Sequence, residues 1–343
     1  MRSRWGRAMR RRPLTRLLAV AACAALLGAV AGCGDGGDSE AAGSTTVRLG
    51  FSAWPGWFPW QVAQEKGLFA ANGVEVELTW FDSYTDSLQA LSTGNLDANS
   101  QTLNDTLTSV SGGAKQTVVL VNDNSTGNDQ IIAAPGIADV AALRGKKVAV
   151  EQGTVDHYLL LLALEKAGLS EKDITLTPLL TDAAAAAFVA GQVDAVGAFA
   201  PFTTTALGRA GSRAVATSKD FPGAIPDHLA FDSGYLREHP EQVQKVVQTW
   251  FDTLEWIAAN GAEAVAIMAR RGGVSEADYR TYDAGTTIFT REQNIAAFTP
   301  GGDPTHLDFQ ADQIAEFLVR TELAPGKPSL DGLLEPKFVH AVT

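Results

Sequence analysis

Cysteine is almost absent from this 343-residue chain: there are two, Cys23 and Cys33, both close to the N-terminus. Past Cys33 there is no thiol, which excludes an internal disulfide framework and a cysteine metal cluster and leaves stability to an ordinary apolar core. Basic residues are also scarce, 27 Lys and Arg against 39 Asp and Glu, for a formal charge of −12. Seven arginines (Arg2, Arg4, Arg7, Arg10, Arg11, Arg12 and Arg16) sit in the first sixteen residues without one acid, so the chain beyond them carries −19. A surface of that sign argues against nucleic acid or an anionic lipid surface as partner. The five histidines, His157, His228, His239, His306 and His340, are scattered without metal spacing. No serine–histidine or paired-carboxylate arrangement can be read from the sequence, so we expect no metal, no cofactor and no catalysis.

What is present begins with the arginine-rich start and the apolar run Leu17–Val30, too short to span a bilayer stably and typical of a secretory signal. It ends in Val30-Ala31-Gly32-Cys33, which looks like a bacterial lipobox; that resemblance implies cleavage before Cys33, acylation of its thiol and a lipid anchor at the outer face of the cell membrane. A plain secretory signal with an incidental cysteine is the other reading. Residues 34–45, rich in Gly, Ser, Ala and acids, have the composition of a flexible tether.

From Thr46 onward the pattern alternates strand and helix, which predicts an α/β fold with mainly parallel sheet. Expected strands are 47–51, 74–80, a short run after Leu96, 117–121, 147–150, 174–179, 193–198, 214–217 and 228–232; Pro240 opens a helix to about Ala259 within a helical tail. Two linker-like segments, Asn122–Gln130 and Phe221–Asp227, suggest that the chain leaves one lobe, builds a second and returns, a hinge with a cleft. The expected division is a signal over 1–32, a lipidated cysteine and tether over 33–45, lobe one over 46–130 and 226–343, and lobe two over 131–225.

The stretch Gly50-Phe51-Ser52-Ala53-Trp54-Pro55-Gly56-Trp57-Phe58-Pro59-Trp60 places tryptophans just after the first strand, where open α/β sheets bind ligands. Pro55-Gly56 turns the chain and Pro59 suits the first helical turn. Each tryptophan could equally be a core residue. Together with Gln64-Glu65-Lys66-Gly67-Leu68-Phe69, Asn95-Leu96-Asp97-Ala98, Gly145-Lys146-Lys147-Val148-Ala149-Val150, Gly191-Gln192-Val193-Asp194-Ala195 and Glu238-His239-Pro240-Glu241, this stretch resembles the nitrate, sulfonate and taurine class of solute-binding proteins of ABC importers. The resemblance covers nearly the whole chain after the signal. It implies a type II periplasmic-binding fold, closure of two lobes on a small-molecule solute, delivery to a permease with ATPase subunits, and a monomer.

Carried over by position, the resemblance maps the pocket onto Trp54, Trp57, Asp82, Tyr84, residues 101–105 with Asp105, residues 122–124 with Asp123, Glu151, Thr154, Phe199, Phe202 and Asp227. The helix start at Gly153-Thr154 reads either as an anion site or as a helix that caps itself. Charge favours a cation. Between Leu49 and Leu143 there are ten acids and two bases, Lys66 and Lys115, neither in a mapped pocket loop. An anion would meet unbalanced carboxylates, whereas tryptophan faces and carboxylates suit a small cation such as guanidinium. The alternatives are a sulfonate, taurine or nitrate; a pyrimidine-precursor protein, although that branch's cysteine cluster is absent; and a ligand-sensing lipoprotein. Asp97 and Asp194 are expected to be structural, and any of the pocket acids could instead be exposed or paired elsewhere.

Overall fold

A computed structural model describes residues 45–343; the expectations about the signal, Cys33 and the tether lie outside those residues. Eleven strands among the described residues are β1 (Val47–Phe51), β2 (Val76–Trp80), β3 (Ala98–Thr102), β4 (Gln116–Ser125), β5 (Asp129–Ala133), β6 (Lys147–Val150), β7 (Thr175–Pro178), β8 (Ala195–Phe199), β9 (Arg213–Thr217), β10 (Pro226–Asp232) and β11 (Thr286–Ile288). They form two sheets, in the orders β11-β4-β10-β3-β1-β2 and β7-β6-β8-β5-β9. Each sheet with its helices is a lobe.

The sheets are mixed rather than mainly parallel as the alternation implied. β1 runs parallel to β2 and β3, and β6 parallel to β7 and β8, through helical crossovers. Where the chain passes between lobes the direction reverses: β10 lies antiparallel between β3 and β4, and β5 antiparallel between β8 and β9. The segment 122–130, expected as a linker, is mostly strand, because β4 runs on to Ser125 and β5 already pairs at Asp129 with Phe199. Only Thr126, Gly127 and Asn128 lie between the two strands. Ser218 ties this crossing to the returning one, since its hydroxyl lies 2.7 Å from that of Ser125 and accepts the Gly127 N–H at 2.7 Å. The Tyr282–Gly285 turn is a third tie: Asn128 donates its side-chain amide to the Tyr282 carbonyl at 2.7 Å, and Tyr282 meets the Thr204 hydroxyl of the second lobe at 2.8 Å.

The tryptophan stretch folds as a short turn of helix, Pro55–Trp57, then a helix Pro59–Glu65 with Pro59 in its first turn, where no N–H is needed. That helix gives way at Gly67, whose left-handed backbone (φ 69°) starts a separate turn, Leu68–Ala71. Trp60 is core: it is fully buried, donates its indole N–H to Ser100 at 2.9 Å and packs 4.7 Å from the Trp250 ring. Trp250 belongs to the Pro240–Ala259 helix, whose buried face (Val243, Val246, Val247, Trp250) covers the first lobe as the apolar spacing required. Beyond it the tail lies along β4. Leu333 and Glu335 bond the backbone of Val118, the Asn294 amide bonds both backbone groups of Val121, Phe289 bonds Asn122, and β11, absent from the sequence expectation, pairs with residues 123–125.

Candidate functional site

The carboxyl end of β1 delivers Ser52 to Trp57 into the gap between the lobes. The segment after β2, the end of β3 and the start of β10 add Tyr84, Thr102 and Asp227. From the second lobe come Asp129 at the start of β5, Glu151 after β6 and Phe199 at the end of β8. Two adjoining cavities result. One is lined by Ala53, Trp54, Trp57, Tyr84, Thr102, Asp129, Val155, Phe199 and Asp227, the other by Ser52, Asp82, Tyr84, Glu151, Thr181, Phe199 and Phe202 among others. Each leaves about 10 Å³, room for one water-sized occupant. Aromatic rings cross the gap in sequence: Trp54 to Trp57 at 6.4 Å between centroids, Trp57 to Tyr84 at 5.5 Å, Tyr84 to Phe199 at 6.1 Å and Phe199 to Phe202 at 5.5 Å. A larger groove of about 580 Å³ lies elsewhere, beside Arg48, Asp97 and Tyr235, and its Arg48–Asp97 charges are already paired.

The electrostatics of the cleft are one-sided. Asp105, Asp123, Asp129, Glu151, Asp156 and Asp227 are all buried, and no lysine or arginine lines either cavity. Oδ2 of Asp123, Asp129 and Asp227 has no hydrogen-bond partner among the described residues. Burial pushes the carboxyls of Asp105 and Asp129 up to about 7 against the help of their hydroxyl partners. Burial also raises Asp123 and Asp227 well above the ordinary carboxylate range, and the two repel each other across the β4–β10 pairing. Burial therefore favours the protonated form of each of these acids. The indole N–H of Trp57 and the Ser52 hydroxyl are the unpartnered donors nearby.

The sequence-derived residues separate into three groups. Trp54, Trp57, Tyr84, Phe199 and Asp227 line the cavity that Asp129 shares; Asp82 and Phe202 line the neighbouring one, Asp82 on its exposed rim, where it accepts the Trp80 indole N–H at 2.7 Å. Asp105 and Asp123 lie behind the wall. Asp105 accepts from Thr102 at 2.7 Å and Asn104 at 2.9 Å, and Asp123 accepts the Trp54 indole N–H at 3.0 Å while lying against Gly56. Two assignments change. Thr154 lines neither cavity, and its hydroxyl donates to the Glu151 carbonyl at 2.8 Å. Glu151 reaches the cavity but is occupied by the protein itself, accepting N–H and hydroxyl bonds from Thr85 and from Thr181. Residues 101 and 122 are likewise engaged inside the sheet, Gln101 with Thr106 and Gln116, Asn122 with Ser100.

Asp97 and Asp194 are structural as expected, the first gripping Arg48 and the second accepting the Lys147 N–H at 2.9 Å. Asp156, in the first turn of the Val155–Lys166 helix, is buried within 2.7 Å of the Thr181 hydroxyl, which also lies 2.7 Å from Glu151. One hydroxyl proton cannot serve both acceptors. Burial raises the Asp156 carboxyl well above its usual range, so of the two acids sharing this hydroxyl it is the one whose protonated form burial favours. The residue sequence reasoning missed is Asp129, hidden inside the supposed linker; its signal was an acid directly preceding the alternating Gln130-Ile131-Ile132 run.

Comparison with known proteins finds binding proteins among those similar to this chain. A model of the NMT1-like family matches residues 40–270. A binding protein of Brucella abortus (strain 2308) is 29% identical over 277 residues, covering 79% of this chain and 85% of its own length. An aliphatic sulfonates-binding protein of Escherichia coli (strain K12) is 28% identical over 258 residues, covering 73% and 80% respectively. The solved alkanesulfonate-binding protein of Xanthomonas axonopodis pv. citri bound to MOPS superposes with a TM-score of 0.73 at 21% identity, over 85% of this chain and 98% of that one.

Proposed function

This chain belongs to the NMT1-like family, and from that footing we propose that it is the extracytoplasmic solute-binding component of an ABC importer and captures a small organic cation between its lobes. The observation that carries the cationic reading is the pair Asp129 and Asp227, buried carboxylates lining one aromatic-walled cavity with unpartnered oxygens and no basic residue beside them. Buried charges without a counter-ion are costly, and a bound cation supplies the missing one. The indole and phenol faces add about 0.5–2 kcal/mol for a cation held against them. The planar guanidinium ion, able to donate to two carboxylates at once, is the simplest probe of that class.

The second reading, an aliphatic sulfonate, is favoured by the name of the Escherichia coli relative. Against it stands the absence of any lysine or arginine among the lining residues. Calorimetric titration with guanidinium, taurine, methanesulfonate and nitrate separates the two: binding of guanidinium alone supports the cation, and binding of a sulfonate with no response to guanidinium overturns it. We further propose that the chain is held at the outer face of the membrane through acylated Cys33 and acts as a monomer beside its permease and ATPase. A Cys33→Ser chain should then be recovered in the soluble fraction.

A further inference from the structure

We propose that Glu151 is the selectivity residue of the cleft, a built-in anion that latches the lobes together and denies its hydrogen-bond donors to anionic solutes. Glu151 is 4% exposed and follows β6 in the second lobe. Its Oε1 accepts the N–H of Thr85 at 3.1 Å and the Thr85 hydroxyl, from the first turn of the Tyr84–Ser92 helix of the first lobe. Its Oε2 accepts the N–H of Thr181 at 3.2 Å and the Thr181 hydroxyl at 2.7 Å, from the first turn of the Thr181–Val189 helix of its own lobe. One carboxylate thus satisfies two helix starts, one oxygen to each lobe.

First-turn N–H groups have no partner within their own helix and lie at its positive end, so they are where an anion would be held. Here they are filled from within. A sulfonate entering the cleft would have to displace a carboxylate bonded four times, and would otherwise find the Trp57 indole N–H in the cavity lined by Asp129 and Asp227 and the Ser52 hydroxyl in the adjoining one. A cation competes with none of these bonds. The selectivity half of the proposal deepens the cationic reading; the latch half does not depend on it.

The test uses the full chain carrying Glu151→Ala or Glu151→Gln, with circular dichroism to establish folding, small-angle scattering without ligand, and titrations with methanesulfonate and guanidinium. The expected result is a larger ligand-free radius of gyration for both variants, and a gain of at least tenfold in methanesulfonate affinity for Glu151→Ala. Thr85→Ala, a change at an exposed position that removes one donor, should open the ligand-free protein in the same direction by less and keeps the latch testable if the Glu151 variants do not fold. An unchanged radius in the folded variants overturns the latch. Methanesulfonate binding to the unsubstituted chain as tight as to Glu151→Ala overturns the selectivity role. Failure of the unsubstituted chain to bind guanidinium would instead strike the cationic reading and leave the scattering result standing.

Discussion

Trp54 donates its indole N–H to Oδ1 of Asp123 at 3.0 Å, and the other oxygen of the same carboxylate occupies the place where a Cβ on Gly56 would stand. The ligand loop is therefore seated on a buried acid. Gly56→Ala forces loop and carboxylate apart and should cost about 1–3 kcal/mol. Trp54→Phe leaves that buried carboxylate with no donor and should cost about 1–3 kcal/mol. Because both act through Asp123, the double variant should lose less than the two separate losses together, measured by urea unfolding.

Removing a cleft charge should stabilise the empty protein and disable it. Asp227→Asn and Asp129→Asn each delete a buried carboxylate that lacks a basic partner, so the ligand-free melting temperature should rise. Guanidinium affinity should fall at least tenfold, about 1.4 kcal/mol. A variant that melts lower and binds as before would contradict both expectations.

Acidity should act on the same groups. Asp105 and Asp129 titrate near 7 in the folded, ligand-free protein and near about 3.9 when unfolded. Between those values the folded state holds more protons, so ligand-free stability falls as the pH rises from about 4 through 7. A cation reverses the preference: its binding expels protons and strengthens as the pH rises through 7. Calorimetry in buffers of different ionisation enthalpy should detect that release, and melting curves at pH 5 and pH 8 should show the stability trend only without ligand.

Asp97 gives a control away from the cleft. It accepts the backbone N–H of Arg48 at 2.8 Å and the guanidinium Nε at 3.0 Å, and is buried while Arg48 is part-exposed. Asp97→Ala should lower stability by about 1.5–3 kcal/mol through the lost charged hydrogen bonds, while titration with guanidinium gives an unchanged affinity.

Local chemistry was legible where a single side chain decides it. Pro59 in a first helical turn, the Pro240–Ala259 helix and the β6 strand stand where periodicity and proline placed them. Among the aromatic residues lining the cavity, Trp54 and Trp57 were readable from their place after the first strand, and Tyr84 and Phe199 through the family resemblance. Sheet direction was not, because whether a strand pairs parallel or antiparallel depends on which lobe the chain has just left. Nor was the occupancy of Glu151, whose four donors come from residues 66 positions before it and 30 after it. Asp129 was missed because polar Asn122 to Asn128 reads as linker, yet its first part is the buried end of β4.

The tail's piecemeal bonding along β4 bears on solubility. β4 is a ten-residue strand whose centre, Val118 to Val121, is wholly apolar and fully buried. On one side β10 satisfies it; on the other only Leu333, Glu335, Asn294, Phe289 and the three residues of β11 do. Stripped of the tail, that flank would be a long hydrophobic sheet edge open to pairing with another molecule. The C-terminal segment thus covers an edge otherwise open to pairing, and a chain ending before Thr286 should precipitate or form fibrils rather than merely bind more weakly.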